Sequence, residues 1–253
     1  MRERRTRRQG WPRVSHLALP LLLAALLLLS GCNGFASSRR ATATATPSPM
    51  PLPTGTPGLR LMYAAIGASD AYGVGTANPA KDNWPTLLAG DLGPSVHLTN
   101  LGIPGATVAI AQRDELPVAL HIQPDLVTVF LGVNDLLDNV TTAAFTTQIS
   151  ALLIQLHSQT AARVFIGNLP DVTLLPEFSR YDPVALRTQV IVWNAAIAHA
   201  AAEAGANVVD LFNGWGELAQ HPDYVSPDGL HPSTVGAERL AAVFAAAIES
   251  RGL

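Results

Sequence analysis

Beyond residue 60, short continuous apolar runs alternate along the chain with longer segments of helical pattern. Such runs, bounded by glycine or other turn residues, fit the fully buried strands of a parallel sheet. Five strands are predicted, at residues 61–66, 96–100, 126–131, 164–167 and 207–209. Helices are predicted near residues 84–92, 107–120, 142–159 and 186–204, and a last helix starts at about Ser233 as its N-cap. This alternation predicts an α/β fold, a three-layer α/β/α sandwich of flavodoxin-like type around a five-stranded parallel sheet.

A second hydrophobic pattern, at the N-terminus, is typical of a secretory signal. Six arginines within the first 13 residues precede an apolar segment at residues 17–29. Pro20 interrupts this segment and Ser30 and Gly31 end it, so it is shorter than the roughly 20 apolar residues of a transmembrane helix. We therefore predict that residues 1–31 are a signal peptide.

The only cysteine of the chain, Cys32, directly follows this predicted signal peptide. Residues 29–32, Leu-Ser-Gly-Cys, resemble the bacterial lipoprotein signal, in which the cysteine becomes the first mature residue and carries the lipid. Cys32 has no partner for an intramolecular disulfide, and lipidation accounts for it. The alternative is an ordinary cleaved signal with an incidental cysteine. We predict lipidation at Cys32 and a secreted protein anchored to the outer face of the bacterial cell membrane.

The segment that follows has a different composition. Residues 33–58 are rich in Ala, Thr, Pro and Ser, and such a composition offers too little apolar surface to form a core. We predict that residues 32–58 are the lipidated cysteine and a disordered tether, and that residues 59–253 form one folded domain.

Charge divides the chain at the same place. The net charge of −3 hides an N-terminal part with eight arginines and one glutamate in residues 1–58, which leaves ten excess negative charges in residues 59–253. Hydrophobic residues make up 48% of the chain and charged residues only 14%, which fits a globular protein with a substantial core. An acidic domain without a basic stripe excludes nucleic acid as a partner.

Candidate chemistry follows the ends of the predicted strands. Ser69 comes after the first strand, Gly102 after the second and Asn134 after the third. The carboxyl ends of parallel strands meet at one edge of the sheet, where α/β proteins bind ligands. Taken singly, each residue is more ordinary as a turn former or helix cap. Their joint occurrence after successive strands predicts an active site at this edge.

The loop after the fifth strand ends in Asp228-Gly229-Leu230-His231-Pro232. Residues three apart in a tight turn have Cα atoms within about 7 Å, so Asp228 can accept a hydrogen bond from the imidazole of His231. A histidine held in this way can take the proton of Ser69 and make it a nucleophile. The expected oxyanion donors are the backbone N–H groups of Ser69 and Gly102 and the side-chain amide of Asn134.

These residues resemble the SGNH or GDSL family of esterases and lipases, and the resemblance covers nearly all of residues 60–250. Residues 67–70 resemble its first block, 100–102 the second, 132–135 the third and 228–232 the fifth. The resemblance implies a flavodoxin-like hydrolase without cofactor or metal. It implies that Ser69 is the nucleophile, His231 the base and Asp228 its orienter, with Gly102 and Asn134 in the oxyanion hole.

One block departs from the family pattern. The family usually has an aspartate before the serine and an aliphatic residue after it, whereas Ala68 and Asp70 stand here. We expect this difference to alter the local geometry and the specificity of neighbouring loops more than the activity itself.

The function predicted is a serine ester hydrolase that forms a covalent acyl-enzyme outside the cell. Its substrate is a small-molecule ester, an acylated glycan or a lysolipid, and loops 170–183 and 211–225 are expected to shape the pocket. One alternative is a non-catalytic lipoprotein that binds glycans or a protein partner through aromatic residues, namely Trp84, Trp193, Trp215, Tyr181 and Tyr224. The other is a metal-dependent hydrolase with ligands from one loop, namely His221, Asp223, Asp228 and His231.

Overall fold

The computed structural model describes residues 60–214 and 216–252. The predicted signal peptide, the predicted lipidation site Cys32, the whole predicted tether and Trp215 lie outside the described residues. No helix among the described residues is both long enough and apolar enough to cross a lipid bilayer.

Five parallel strands form one sheet in the order β2-β1-β3-β4-β5, which is the flavodoxin-like order. Their bounds are Leu61–Gly67 (β1), Val96–Asn100 (β2), Leu126–Phe130 (β3), Arg163–Gly167 (β4) and Asn207–Val209 (β5). All five residues of β3 are buried, as expected for a central strand covered on both faces. The predicted α/β/α sandwich is confirmed.

The α-helices lie on both faces of this sheet. Their bounds are Ser69–Tyr72 (α1), Pro79–Asp82 (α2), Trp84–Leu92 (α3), Val108–Ile110 (α4), Leu116–Ile122 (α5), Val133–Leu137 (α6), Thr142–Gln159 (α7), Pro183–Glu203 (α8), Leu211–Gly214 (α9) and Thr234–Glu249 (α10). A π-helical segment, Ala111–Glu115, joins α4 to α5, and four single 3-10 turns lie at Val172–Leu174, Pro176–Phe178, Gly216–Ala219 and Pro222–Tyr224.

Two aromatic pairs fill the layers on either side of the sheet. Trp84 of α3 stacks on Phe244 of α10 with ring centroids 4.6 Å apart, and Phe145 of α7 stacks on Trp193 of α8 at 4.1 Å. All four side chains are completely buried. Trp84 and Trp193 therefore belong to the core and cannot stack against a ligand.

Several elements differ from the prediction, most clearly in the helices and in the loop after β5. The helix predicted at residues 107–120 is divided by the π-helical segment. Helix α8 starts at Pro183, earlier than predicted, because the Asp182 carboxylate accepts the N–H groups of Val184 and Ala185 and proline is favourable at the first helical position. Residues 211–232, predicted as a loop, contain α9 and two of the 3-10 turns. The predicted N-cap Ser233 is confirmed.

The strand register brings the ends of three strands level. Gly67 at the end of β1 pairs with Phe130 at the end of β3, and Ala65 pairs with Asn100 at the end of β2. Residues that follow these strands therefore emerge at one edge of the sheet.

Candidate active site

Ser69 is the first residue of the short helix α1, directly beyond β1. The chain can turn here because Gly67 has no side chain: a Cβ at this position would lie 2.6 Å from Cβ of Ala71. Helix α1 ends after one turn at Gly73, whose φ of 99° is left-handed and favours glycine. The serine is thus held between a buried strand and a tight turn, with its backbone N–H at the N-terminal end of a helix.

The loop that carries His231 is closed by its own hydrogen bonds. Oδ1 of Asp228 accepts the N–H groups of Leu230 and His231, each at 2.9 Å, and Oδ2 lies 2.8 Å from Nδ1 of His231. The N–H of Ser226 donates to the carbonyl of His231 at 2.8 Å. These contacts agree with the tight turn that the sequence predicts and fix the imidazole ring.

The charge on Asp228 helps to set the tautomer of this ring. Partial burial raises the pKa of the Asp228 carboxyl, but the hydrogen bonds from the N–H groups of His231 and Leu230 and from the imidazole outweigh it and hold this pKa well below its usual range. An ionised carboxylate at Nδ1 favours the tautomer with the proton on Nδ1. Nε2 is then an acceptor.

That nitrogen faces the serine. Nε2 of His231 and Oγ of Ser69 are 2.8 Å apart, although the two residues are 162 positions apart in sequence. This is the distance at which an imidazole can remove the proton of a hydroxyl group. The structure therefore brings Ser69, His231 and Asp228 into one continuous hydrogen-bonded line.

Asn134 reaches the same place from β3. It lies in the first turn of α6, lines the same cavity as Ser69 and His231, and donates one N–H to the carbonyl of Ala106 at 3.0 Å. A primary amide has two N–H groups. The bond to Ala106 thus orients the amide and leaves its second N–H for a ligand.

Gly102 packs against the turn that carries Ser69 but does not line this cavity. A Cβ here would lie 2.8 Å from Cβ of Ala71 and 3.0 Å from the carbonyl oxygen of Ala68, so only glycine fits. Its N–H donates to Oδ1 of Asn100 at 3.0 Å. Its role as an oxyanion donor stays a prediction, and that role requires this N–H to leave Asn100.

The cavity beside Ser69 is small and mostly apolar, with a water-accessible volume of about 60 Å³. The polar residues that line it are Ser69, Asp70, Asn134, Tyr224 and His231. Its apolar residues come from the ends of strands and from the predicted pocket loops, and include Phe130, Leu131, Val133, Pro170, Leu175, Val225 and Leu230. A nucleophile, a base and an amide donor at the edge of an apolar pocket can attack an ester whose acyl group enters that pocket.

Comparison with known proteins agrees with this geometry. A model of the GDSL-like lipase/acylhydrolase family matches residues 65–239. The chain belongs to this family. It is therefore an ester hydrolase. No curated protein sequence matches it.

Solved structures share the fold of this GDSL hydrolase at low sequence identity. LAE5, an alpha/beta hydrolase enzyme from the metagenome of Lake Arreo in Spain, is 20% identical with a TM-score of 0.62, over 75% of this chain and 95% of that one. A lipase/acylhydrolase from Enterococcus faecalis is 23% identical with a TM-score of 0.62, over 76% and 96%. Axe2, an acetylxylan esterase from Geobacillus stearothermophilus, is 17% identical with a TM-score of 0.61, over 74% and 94%.

Asp70, which stands after Ser69 where the family usually has an aliphatic residue, is partly buried. Burial raises the pKa of Asp70 to about 6, although hydrogen bonds from the indole of Trp84 and from nearby backbone N–H groups, together with His231, lower it. Asp70 lines the cavity next to Ser69. The site of this GDSL hydrolase therefore contains an additional titratable group.

The four side chains considered as metal ligands do not form a ligand set. The ring of His221 stacks on Tyr224 with centroids 4.6 Å apart, and Asp228 is bonded to His231. Within residues 60–214 and 216–252, no group of three or more His, Cys, Asp or Glu side chains is placed to hold a metal ion. The geometry gives the metal-dependent alternative no support.

Sequence reasoning missed two buried acids close to the site. Asp135 is completely buried and accepts the N–H of Val108 at 3.1 Å, and burial raises its pKa to about 6. Glu115 is 1% exposed and accepts the N–H of Gly67 at 2.9 Å. A signal for Glu115 is present in the sequence, because it lies on the same helical face as two buried alanines, Ala111 and Ala119.

Proposed function

We propose that this enzyme hydrolyses carboxylic esters through a triad of Ser69, His231 and Asp228 and a covalent acyl-enzyme. The observation that carries the proposal is the pair of 2.8 Å contacts, from Oγ of Ser69 to Nε2 of His231 and from Nδ1 of His231 to Oδ2 of Asp228. Nucleophile, base and orienting carboxylate are thus connected in the order that acyl transfer requires.

The reaction proceeds in two halves. His231 takes the proton of Ser69 as Oγ attacks the ester carbonyl carbon, and Asp228 stabilises the imidazolium that forms. His231 then gives this proton to the departing alcohol, which leaves the acyl group on Ser69. In the second half, His231 deprotonates a water molecule that attacks the acyl carbonyl, and its proton returns to Ser69 as the acid is released.

The oxyanion that forms in each half needs fixed donors. The backbone N–H of Ser69 at the start of α1 and the second N–H of Asn134 are the donors that the geometry favours. The N–H of Gly102 is a third, once it exchanges its bond to Asn100. No group other than these residues and water takes part in the proposed reaction.

The size of the cavity supports a short acyl group. A water-accessible volume of about 60 Å³ holds only a few water molecules, and its lining is mostly apolar. We therefore propose esters of short-chain acids as substrates, on small alcohols or glycans. Acetylxylan esterases are among the proteins that share the fold, so acetylated glycans belong in the test panel.

The location of the enzyme is part of the same proposal. Residues 1–31 act as signal peptide, Cys32 carries the lipid, residues 32–58 form the tether, and the hydrolase domain 59–253 is held at the outer face of the cell membrane. The basic and apolar pattern of the N-terminus and the single cysteine support this assignment. Metabolic labelling with a tagged fatty acid tests it: we expect labelled protein in the membrane fraction, and loss of the label with Cys32→Ser.

Replacement of the nucleophile tests the catalytic proposal. We expect Ser69→Ala to abolish hydrolysis of p-nitrophenyl acetate and labelling by a fluorophosphonate. Ser158→Ala is the matched control, because Ser158 is an exposed serine on α7 that does not line the cavity, so we expect full activity. Undiminished turnover by Ser69→Ala would overturn the proposed function. A panel of p-nitrophenyl esters from acetate to octanoate, beside acetylated glycans, tests the acyl length.

A further inference from the structure

A buried carboxyl group that the proposed reaction does not use lies behind the nucleophile. Glu115 is 1% exposed and ends the π-helical segment between α4 and α5. Its Oε2 accepts the N–H of Gly67 at 2.9 Å, whereas its Oε1 has no hydrogen-bond partner among the described residues. An unpaired buried polar atom costs stability, so its presence at this position calls for an explanation.

The N–H group that Glu115 binds belongs to Gly67, close to Ser69. Gly67 is the last residue of β1 and stands two positions before Ser69. Its carbonyl accepts the N–H of Ile103 at 3.2 Å, from the loop that follows β2. The backbone two residues before Ser69 is therefore held at the N–H of Gly67 by Glu115 and at its carbonyl by Ile103, in the loop that contains Gly102.

Glu115 is the last residue of the π-helical segment. A π turn adds a residue to the helical repeat and so changes which side chain faces inward, and such turns are common at functional sites. Here Arg113 and Asp114 are exposed and pair with each other at 2.6 Å, whereas the next residue, Glu115, is buried. The side chain of Glu115 thus reaches Gly67 at the end of β1, 48 positions away in sequence.

We propose that Glu115 is a positioning residue, which anchors the N–H of Gly67 so that the turn into α1 holds Oγ of Ser69 against Nε2 of His231. This inference rests on the proposed function. Burial raises the pKa of Glu115 to about 8. The hydrogen bond from Gly67 lowers this pKa, and the negative charges of Asp70 and Asp114 raise it further. The side chain is therefore neutral at pH 7. What it supplies to Gly67 is therefore a hydrogen-bond acceptor, and a neutral amide can supply the same.

Three substitutions test this role. Glu115→Gln keeps an acceptor oxygen at the same distance, Glu115→Leu removes the acceptor and fills the space, and Glu115→Asp keeps the acid but withdraws it from Gly67. We expect Glu115→Gln to retain kcat within about threefold. For Glu115→Leu and Glu115→Asp we expect kcat to fall about tenfold to a hundredfold, the range for a misplaced reacting group, with KM for p-nitrophenyl acetate changed less than twofold. The rate of fluorophosphonate labelling of Ser69 falls in parallel.

The matched control is Gln148→Leu on α7. Oε1 of Gln148 is also buried without a partner among the described residues, but Gln148 does not line the cavity beside Ser69, so we expect kcat and KM to stay unchanged. If Glu115→Leu does not fold, Glu115→Asp carries the test alone. Folded Glu115→Leu or Glu115→Asp with wild-type kcat overturns the inference, as does Glu115→Gln with the same loss as Glu115→Leu. Ser69→Ala is measured in parallel to separate failure of the proposed function from failure of this inference. If Ser69→Ala is inactive while the Glu115 variants keep wild-type kcat, only the inference about Glu115 fails.

Discussion

The indole N–H of Trp84 donates a hydrogen bond to Oδ2 of Asp70 over 2.8 Å. This hydrogen bond connects Asp70, the residue after Ser69, to the packed layer formed by α3 and α10. The stack of Trp84 on Phe244 holds the indole in place, so the orientation of Asp70 depends on a packed aromatic pair. The unusual aspartate after Ser69 therefore has a fixed hydrogen-bond partner in the core.

Trp84→Phe removes this hydrogen bond and keeps most of the aromatic stack. Because hydrogen bonds to ionised groups contribute about 1.5–3 kcal/mol, we expect the free energy of unfolding to fall by about that amount at pH 8, where Asp70 is ionised, and by less at pH 5. Urea unfolding at the two pH values measures this difference. Trp193→Phe is the control: its indole donates to the hydroxyl of Thr142 at 3.0 Å, so its cost is independent of pH. An equal cost of Trp84→Phe at both pH values would contradict the role of Asp70.

The stability of the enzyme is expected to fall as pH rises from about 4 to 8. Burial raises the pKa of Glu115 from 4.5 to about 8 and those of Asp70 and Asp135 from 3.8 to about 6, so the folded state keeps protons that the unfolded state has lost. Their stabilising effect is complete below the unfolded pKa values and is lost as pH rises through the folded ones. Asp228 acts in the opposite sense. Its pKa is lowered in the folded state, so the stabilisation from its ionised carboxylate is lost only as pH falls into more acidic solution.

Glu115→Gln isolates the upper part of this range. One proton held by the folded state alone changes the unfolding free energy by about 1.4 kcal/mol per pH unit, so Glu115 dominates the slope between pH 6 and pH 8. We expect this slope to flatten in Glu115→Gln, measured from denaturant unfolding at steps of half a pH unit. An unchanged slope would show that Glu115 is ionised in the folded enzyme at pH 7.

Asp228→Asn tests the orientation of the imidazole. An asparagine oxygen can still accept the N–H groups of Leu230 and His231, but its amide favours the wrong tautomer of the ring, so we expect kcat to fall roughly a thousandfold or more while the fold survives. Steady-state hydrolysis of p-nitrophenyl acetate measures this loss. Asp223→Asn, in the same loop and exposed, is expected to retain kcat. A modest loss in Asp228→Asn would mean that Ser69 and His231 suffice as a dyad.

Asn134→Ala tests the oxyanion donor. Loss of one such donor costs about a hundredfold to a thousandfold in kcat, and we expect KM to change little because the donor acts mainly in the transition state. Asn139→Gly, just beyond α6, is the control: Asn139 has a φ of 55°, which glycine adopts readily, and its side chain is exposed. Equal activity of Asn134→Ala and wild type would remove Asn134 from the oxyanion hole.

Much of the fold could be predicted because its signals are local. Buried central strands are largely apolar runs, so the positions of β1 and β3 follow from the sequence to within one residue. The cap at Ser233 depends on side chains within one helical turn. Asp228 and His231 are three residues apart, so their contact also follows from turn geometry.

The boundaries that were wrong depended on less visible signals. The division of the helix at 107–120 comes from the π-helical segment, and no apolar period reveals one added residue. The N–H of Gly102, expected to be an oxyanion donor, instead donates a hydrogen bond to the side chain of Asn100. Such local competition is decided by side-chain packing, which a motif does not specify.

By itself, the sequence determined the order of strands and helices, the residue types at the strand ends and the Asp228–His231 turn, because each depends on near neighbours along the chain. Only the tertiary structure decided that Nε2 of His231 meets Oγ of Ser69, that Trp84 holds Asp70, and that Glu115 reaches Gly67. These contacts join segments 162, 14 and 48 positions apart. Their distances are set by sheet register and by packing between layers, and no single segment of the sequence contains that information.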